Sequence, residues 1–322
     1  MVSRAWPPIA LFLVGLGAAI LTSASFSLPE VAASTGACQQ AYGARPAEIP
    51  DWLQTPSGPV DLSTSNRYDY LAGQLLSGGL VDGSNCPSRG LNPDGSANAC
   101  GLAVSRPAVD AWQNRYDPAI LSVSRSLGLP PKVLKAVIAV ESQFWPGANW
   151  AKGEIGLGQM TNAGADLVLR WRPDVYRQVC LETLGEDTCS IAYVFQNDSF
   201  QGLLRGRLLK NIDATCESCV GGIDPKVENQ AVSILGETLI ASCRQSAYII
   251  TSASGKTPNA SSSYEDFWRF VLANYHSGAG CLMDALHATP QAASWTDISA
   301  GLSPVCAGAT GYVRRIEEQI KP

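Results

Sequence analysis

Between Leu129 and Phe144 the chain reads LPPKVLKAVIAVESQF, and its apolar positions fall at helical spacing. Val133, Leu134, Val137 and Ile138 recur three and four apart, which places them on one face of an α-helix. Pro130 and Pro131 open the stretch, where proline is tolerated because the first N–H groups have no partner inside the helix. Glu141 continues the stripe, seven residues after Leu134, four after Val137 and three after Ile138. The pattern that buries the apolar side chains therefore carries one carboxylate toward the same core. Burial disfavours the charged form of a carboxyl, so a glutamic acid placed there holds a proton near neutral pH and can hand it to a leaving group. Glu141 is the candidate general acid. The plainer reading is that the stripe ends at Val140 and Glu141 marks where the helix surfaces.

Three further stretches show the same periodicity. Residues 108–127 place Trp112, Tyr116, Ile120, Val123 and Leu127 three or four apart and end at Gly128, which predicts one amphipathic helix paired with the Glu141 helix. Residues 225–241 and 264–275 predict two more, the second carrying Phe267, Phe270, Val271 and Tyr275. Between the Glu141 helix and residue 160 runs FWPGANWAKGEIGLGQM, a turn-dense loop whose glycines permit close backbone approach. From residue 27 to about 109 the chain is rich in Gly, Ser, Pro and Asn, with one short helical candidate, Tyr68 to Leu76. This loop-rich N-terminal segment is expected to pack on the main domain.

Composition narrows the classes. With 322 residues, 46% of them hydrophobic, the chain can bury a sizeable core, and a net charge of −5 offers no basic field for nucleic acid. Residues 1–26 combine Arg4, an apolar run from Ile9 to Leu21 and small residues Ser23, Ala24 and Ser25, the grammar of a signal peptide or a retained membrane anchor. Either implies an exported protein, secreted or held at the cell envelope. Ten cysteines in such a chain imply a disulfide framework. Cys86 with Cys100, Cys180 with Cys189 and Cys281 with Cys306 are plausible local pairs. Cys216 and Cys219 form a CxxC that reads as a redox dithiol, half a metal site, or a partner in separate or mutual bridges. With only two histidines, His276 and His287, and no second CxxC, neither a metal nor another cofactor is expected.

Four short motifs occur in order: Glu141-Ser142; Gly156-Leu157-Gly158-Gln159-Met160; Ala273-Asn274-Tyr275-His276-Ser277-Gly278-Ala279-Gly280; and Gly311-Tyr312-Val313-Arg314. Together they resemble the soluble-type lytic transglycosylase catalytic domain, whose motifs are ES, GLMQ, AYNAG and a late Tyr-Val. The resemblance covers roughly residues 110 to 322. It implies a mainly α, lysozyme-like helical domain acting on the glycan strands of peptidoglycan, with no cofactor and no obligate protein partner. Glu141 would be the acid, Tyr275 would orient it, and Ser142, Gln159, Met160, His276 and Tyr312 would line the groove. The chain departs from the motifs at Gly158, where the family has a methionine, at His276, where it has an asparagine, and at Asn274, where it has an alanine. The separation of Met160 from Ala273 implies a disulfide-bridged insertion at about 170–222 that extends or covers the groove. Phe144, Trp145 and Trp150 are candidates for stacking on sugar rings or for core packing.

The resemblance also sets the chemistry. Glycoside hydrolysis ordinarily uses two carboxylates, and the motifs place one. A lytic transglycosylase needs only one, acting as acid and then as base, to cleave the bond between N-acetylmuramic acid and N-acetylglucosamine without water and leave a 1,6-anhydro end. Glu154 in the glycine loop is the nearest second carboxylate and would suit a lysozyme-like hydrolase. A non-catalytic cell-wall glycan-binding protein is the remaining alternative.

Overall fold

The computed structural model describes residues 36–289 and 294–320, and they belong to one compact, mainly helical unit. The signal peptide or anchor expected at residues 1–26 lies outside the described residues. The N-terminal part contributes α1 (Ala37–Tyr42) and α2 (Asp69–Ser77). Next come α3 (Ala99–Asn114), α4 (Asp117–Leu127) and α5 (Pro131–Ser142), then a hairpin of β1 (Ala148–Asn149) and β2 (Glu154–Ile155). Beyond it lie α6 (Asn162–Trp171), α7 (Pro173–Leu181), α8 (Glu186–Cys189) and α9 (Asp198–Lys210). The chain closes with α10 (Pro225–Ser254), α11 (Pro258–Ser261), α12 (Tyr264–Ser277), α13 (Ala279–Ala288), α14 (Trp295–Ala300) and α15 (Gly308–Ile320).

The single helix expected over 108–127 is two. Asp117-Pro118 starts a new helix after Arg115 and Tyr116, because proline's missing N–H and ring favour the first turn and oppose continuation through it. The first of the two also begins earlier, at Ala99, where the Asn98 side chain accepts the Gly101 N–H. The boundary expected near residue 109 therefore falls inside α3. The helix expected over 225–241 is α10, which continues to Ser254 and is the hub of the fold, packing against α1, α4, α6, α12 and α13.

The Glu141 helix is enclosed on nearly every side: Val133, Leu134, Ala136, Val137, Ile138 and Ala139 are all buried. So is Lys135. Its ammonium sits 2.7 Å from Asp117 and donates at 2.8 Å to both the Leu62 carbonyl and Asn114 Oδ1, so a buried cation has an anion and two further acceptors. The described residues of the loop-rich segment pack on this core. Trp52 Nε1 donates to Glu265, Tyr42 donates to the Ser262 carbonyl, and Asn66 and Tyr68 meet Gln319 on α15.

All ten cysteines are bridged. The three local pairs form, and Cys216 bonds Cys219, which leaves no dithiol for a metal. Cys38 on α1 joins Cys243 on α10, 205 residues away. The bridges suit an oxidising compartment outside the cytoplasm. Among the described residues no helix is long and apolar enough to cross a membrane. The insertion, with its Cys180–Cys189 bridge, packs its α9 on the back of α6.

Long-loop bridges restrict the unfolded chain most. Replacing Cys38 and Cys243 together by serine should lower stability by about 2–5 kcal/mol. The Cys216→Ser, Cys219→Ser pair should cost about 2 kcal/mol or less. Guanidinium unfolding of the oxidised proteins measures both.

Candidate active site

The chain turns sharply just after Glu141. Gln143 and Phe144 both have positive φ, 47° and 67°, an uncommon conformation for residues with side chains. Their surroundings hold them there. The Gln143 carbonyl oxygen of the side chain accepts the N–H groups of Tyr70 and Leu71, and Trp112 Nε1 donates to the Phe144 carbonyl at 2.9 Å. Phe144 is buried against Tyr68 and Tyr116, and Trp145 stacks on Trp112, so both serve the core. Trp150 is exposed at the hairpin tip, but it is not among the residues lining the cleft described below.

Two hydroxyls pin the glycine loop from opposite sides. The Ser142 hydroxyl lies 3.1 Å from the Ile138 carbonyl of its own helix and 2.8 Å from the Leu157 carbonyl across the gap. The Tyr275 hydroxyl, on α12, donates to the Gly158 carbonyl at 2.7 Å. Such closeness requires a glycine: a Cβ at 158 would lie 2.5 Å from Leu235 Cδ1 and 2.9 Å from that same phenol oxygen. A methionine there, as in the resembled motif, would require the Leu235 and Tyr275 side chains to shift. Gly156 is constrained likewise, with φ 73° and the Ile212 carbonyl 2.8 Å from where a Cβ would stand. Gln159 at φ 46° donates its side-chain amide to the Gly156 carbonyl, completing the turn.

Beside this loop opens a cleft of about 610 Å³. Glu141, Glu154, Gln159, Met160, Tyr275 and His276 all line it. Ser142 and Tyr312, expected there too, stand behind it, both buried. The Glu141 carboxyl is pushed up from near 4.5 to about 7, first by burial and further by the nearby Glu154 carboxylate, while Tyr312 and Arg315 pull the other way.

The resemblance assigned the orienting phenol to Tyr275, whose proton goes instead to Gly158. Tyr312 stands near Glu141 as well, and the charge of Glu141 reaches both phenols. Fully buried, the Tyr312 hydroxyl makes no hydrogen bond of ordinary geometry, yet it favours the charged carboxyl from slightly further off. Its ring stacks flat on His276, 4.3 Å between centroids at 7°, and at 6.2 Å on Tyr275. Burial, with Arg315 nearby, lowers the His276 pKa below its usual 6.5, so the imidazole is neutral at pH 7. Asn274 is structural: its amide nitrogen reaches Ser242, Gln245 and Ser246 on α10.

The opposite wall went unread in the sequence. Thr161 caps α6 through the Gly164 N–H, and Ala163, Asp166, Leu167 and Arg170 face the cleft while Ala165, Val168 and Leu169 are buried. Thr238 and Gln245 of α10 add to it. Of the insertion expected to extend or cover the groove, Arg170 at its start lines this cleft and the rest packs against α6. No group of three or more His, Cys, Asp or Glu side chains suited to a metal occurs among the described residues.

Comparison of the chain with protein-family profiles, with curated proteins and with solved structures gives no match.

A raised carboxyl pKa has a cost in stability with a definite sign. The folded state binds the Glu141 proton more tightly than the unfolded chain, so this residue's contribution falls as pH rises from about 4.5 to about 7 and is constant above. Glu141→Gln should thus be the more stable protein above pH 7, by on the order of 3 kcal/mol, with the difference vanishing near pH 4. Denaturant melts of both proteins across that range test it. Tyr312→Phe should raise the Glu141 pKa, readable by carbon NMR titration of the carboxyl.

Proposed function

We propose that the protein is a peptidoglycan lytic transglycosylase with a lysozyme-like catalytic domain, working outside the cytoplasm. The observation that carries this is the Glu141 carboxyl, held half protonated near pH 7 in the wall of a cleft of about 610 Å³. The ordered motifs support it. In two of them the side chains do coherent work at one loop, since Ser142 and Tyr275 both grip the segment 157–158.

In this reading Glu141 gives its proton to the oxygen linking muramic acid to N-acetylglucosamine, and the C1–O bond breaks. The substrate's acetamido oxygen bonds the cationic anomeric carbon. Glu141, now a carboxylate, takes the proton of the muramic C6 hydroxyl as that oxygen displaces the acetamide at C1, closing the 1,6-anhydro ring. No water enters and the enzyme ends protonated as it began. Tyr312 and Arg315 favour the carboxylate form and burial favours the acid, which leaves the group poised for both roles. Neutral His276 and the Gln159 and Met160 edge of the loop would contact the sugars.

Glu154 supports a second reading. It lines the same cleft and its charge reaches Glu141, so a hydrolase with Glu141 as acid and Glu154 as its partner fits the same wall.

Digestion of purified peptidoglycan distinguishes them. The first reading expects anhydromuropeptides in the mass spectrum, activity that declines as pH rises past about 7, and loss of at least about a hundredfold in Glu141→Gln with the fold intact. Reducing muramic ends, heavier by one water, together with loss of activity in Glu154→Gln, would establish the second. Undiminished release by Glu141→Gln would refute both.

A further inference from the structure

The cleft carries an uneven charge. Its lining includes three acids, Glu141, Glu154 and Asp166, and one cationic side chain, Arg170, since His276 is held neutral. The acids and the cation are not equivalent in their surroundings. Asp166 is already engaged, by Arg205 Nη1 at 3.0 Å and by the Tyr193 hydroxyl, both from the insertion. Arg170 is exposed on the cleft and has no ion pair among the described residues. Glu141 lies by the glycine loop that leads into α6, whereas Arg170 sits in the last turn of that helix, eight residues beyond Asn162 and about 12 Å along the axis. The facing wall at Thr238 and Gln245 is polar but uncharged.

We infer that Arg170 is a specificity-determining residue that binds a carboxylate of the substrate, at the end of the cleft away from Glu141. The inference rests on the glycan reading above. A strand bearing lactyl or peptide carboxylates meets like charge near Glu141 and Glu154, and a carboxylate seated there would push the acid's pKa higher still. At Arg170 the same group meets a guanidinium whose two-pronged donor geometry matches it. The anion thus fixes the register of the strand: with its carboxylate on Arg170, the glycan chain runs along α6 toward Glu141. The insertion has a role in this arrangement. By occupying Asp166, one turn away on the same helix face, Tyr193 and Arg205 keep that carboxylate from claiming Arg170.

The test uses the full chain carrying Glu141→Gln, so that no turnover intrudes. The probe is a tetrasaccharide of alternating N-acetylglucosamine and N-acetylmuramic acid, either with free lactyl carboxylates or with those carboxylates amidated, and calorimetry gives the affinities. The Glu141→Gln protein should prefer the free acid, and the preference should shrink with added salt. Adding Arg170→Gln should weaken free-acid binding about tenfold, leave the amide within about twofold and so erase the preference, and Arg170→Lys should recover part of it. Equal weakening of both forms, or no change in either, overturns the inference and leaves the glycan reading standing. Failure of the Glu141→Gln protein to bind either form overturns both.

Discussion

A carboxyl whose pKa is raised mainly by burial depends on neighbours that do not yield, and the residues packed around the Glu141 helix supply that rigidity. The helix that delivers the residue is covered on almost all faces, even at Lys135, where a charge would ordinarily draw water inward. There the ammonium donates to Asn114 and the Leu62 carbonyl and pairs with the Asp117 carboxylate. The loop-rich N-terminal segment is thus part of the acid's support, since Leu62 belongs to it. Two successive residues in left-handed conformation end the helix abruptly, and strain of that kind persists only where neighbours over-determine it. Hydrogen bonds from Tyr70, Leu71 and Trp112 supply that determination.

The other side of the cleft has a different construction. The glycine loop has little side-chain bulk of its own, and its position is set by Ser142 from one direction and Tyr275 from the other. The α6 wall is held from behind by the bridged insertion, through Asp166 with Arg205 and Tyr193 and through the packing of α9. Tyr312, His276 and Tyr275 form a stacked row beneath the acid. Neutral rings and one distant guanidinium moderate its charge without forming a tight ion pair, which would have pulled the pKa down to that of an ordinary carboxylate.

Much of the acid's side of this was legible because helical periodicity reports burial, and Glu141 lies on a buried stripe. The α6 wall was invisible for the same reason. Ala163, Asp166 and Arg170 have the spacing and polarity of any solvent-facing stripe, and a groove-facing surface leaves no separate mark in the sequence. That Tyr275 bonds the Gly158 carbonyl was equally unreadable, because it depends on how α12 is set against the glycine loop. The Asp-Pro break between α3 and α4 was readable, and the strong apolar spacing across it masked the signal. Local cysteine pairs showed themselves through short spacing and turn-rich loops, whereas Cys38 and Cys243 are joined only by the packing of α1 on α10.

That last bridge bears on how the chain matures. Four of the five disulfides join cysteines that follow one another in order, and a polypeptide emerging into an oxidising compartment closes such pairs as they appear. Cys38 comes first, and six other cysteines, Cys86, Cys100, Cys180, Cys189, Cys216 and Cys219, lie between it and Cys243. Premature capture by any of these gives a wrong link that only thiol exchange can undo. The Cys38 bridge can therefore close only after residue 243 has been made, later than the three local bridges that precede it in the chain.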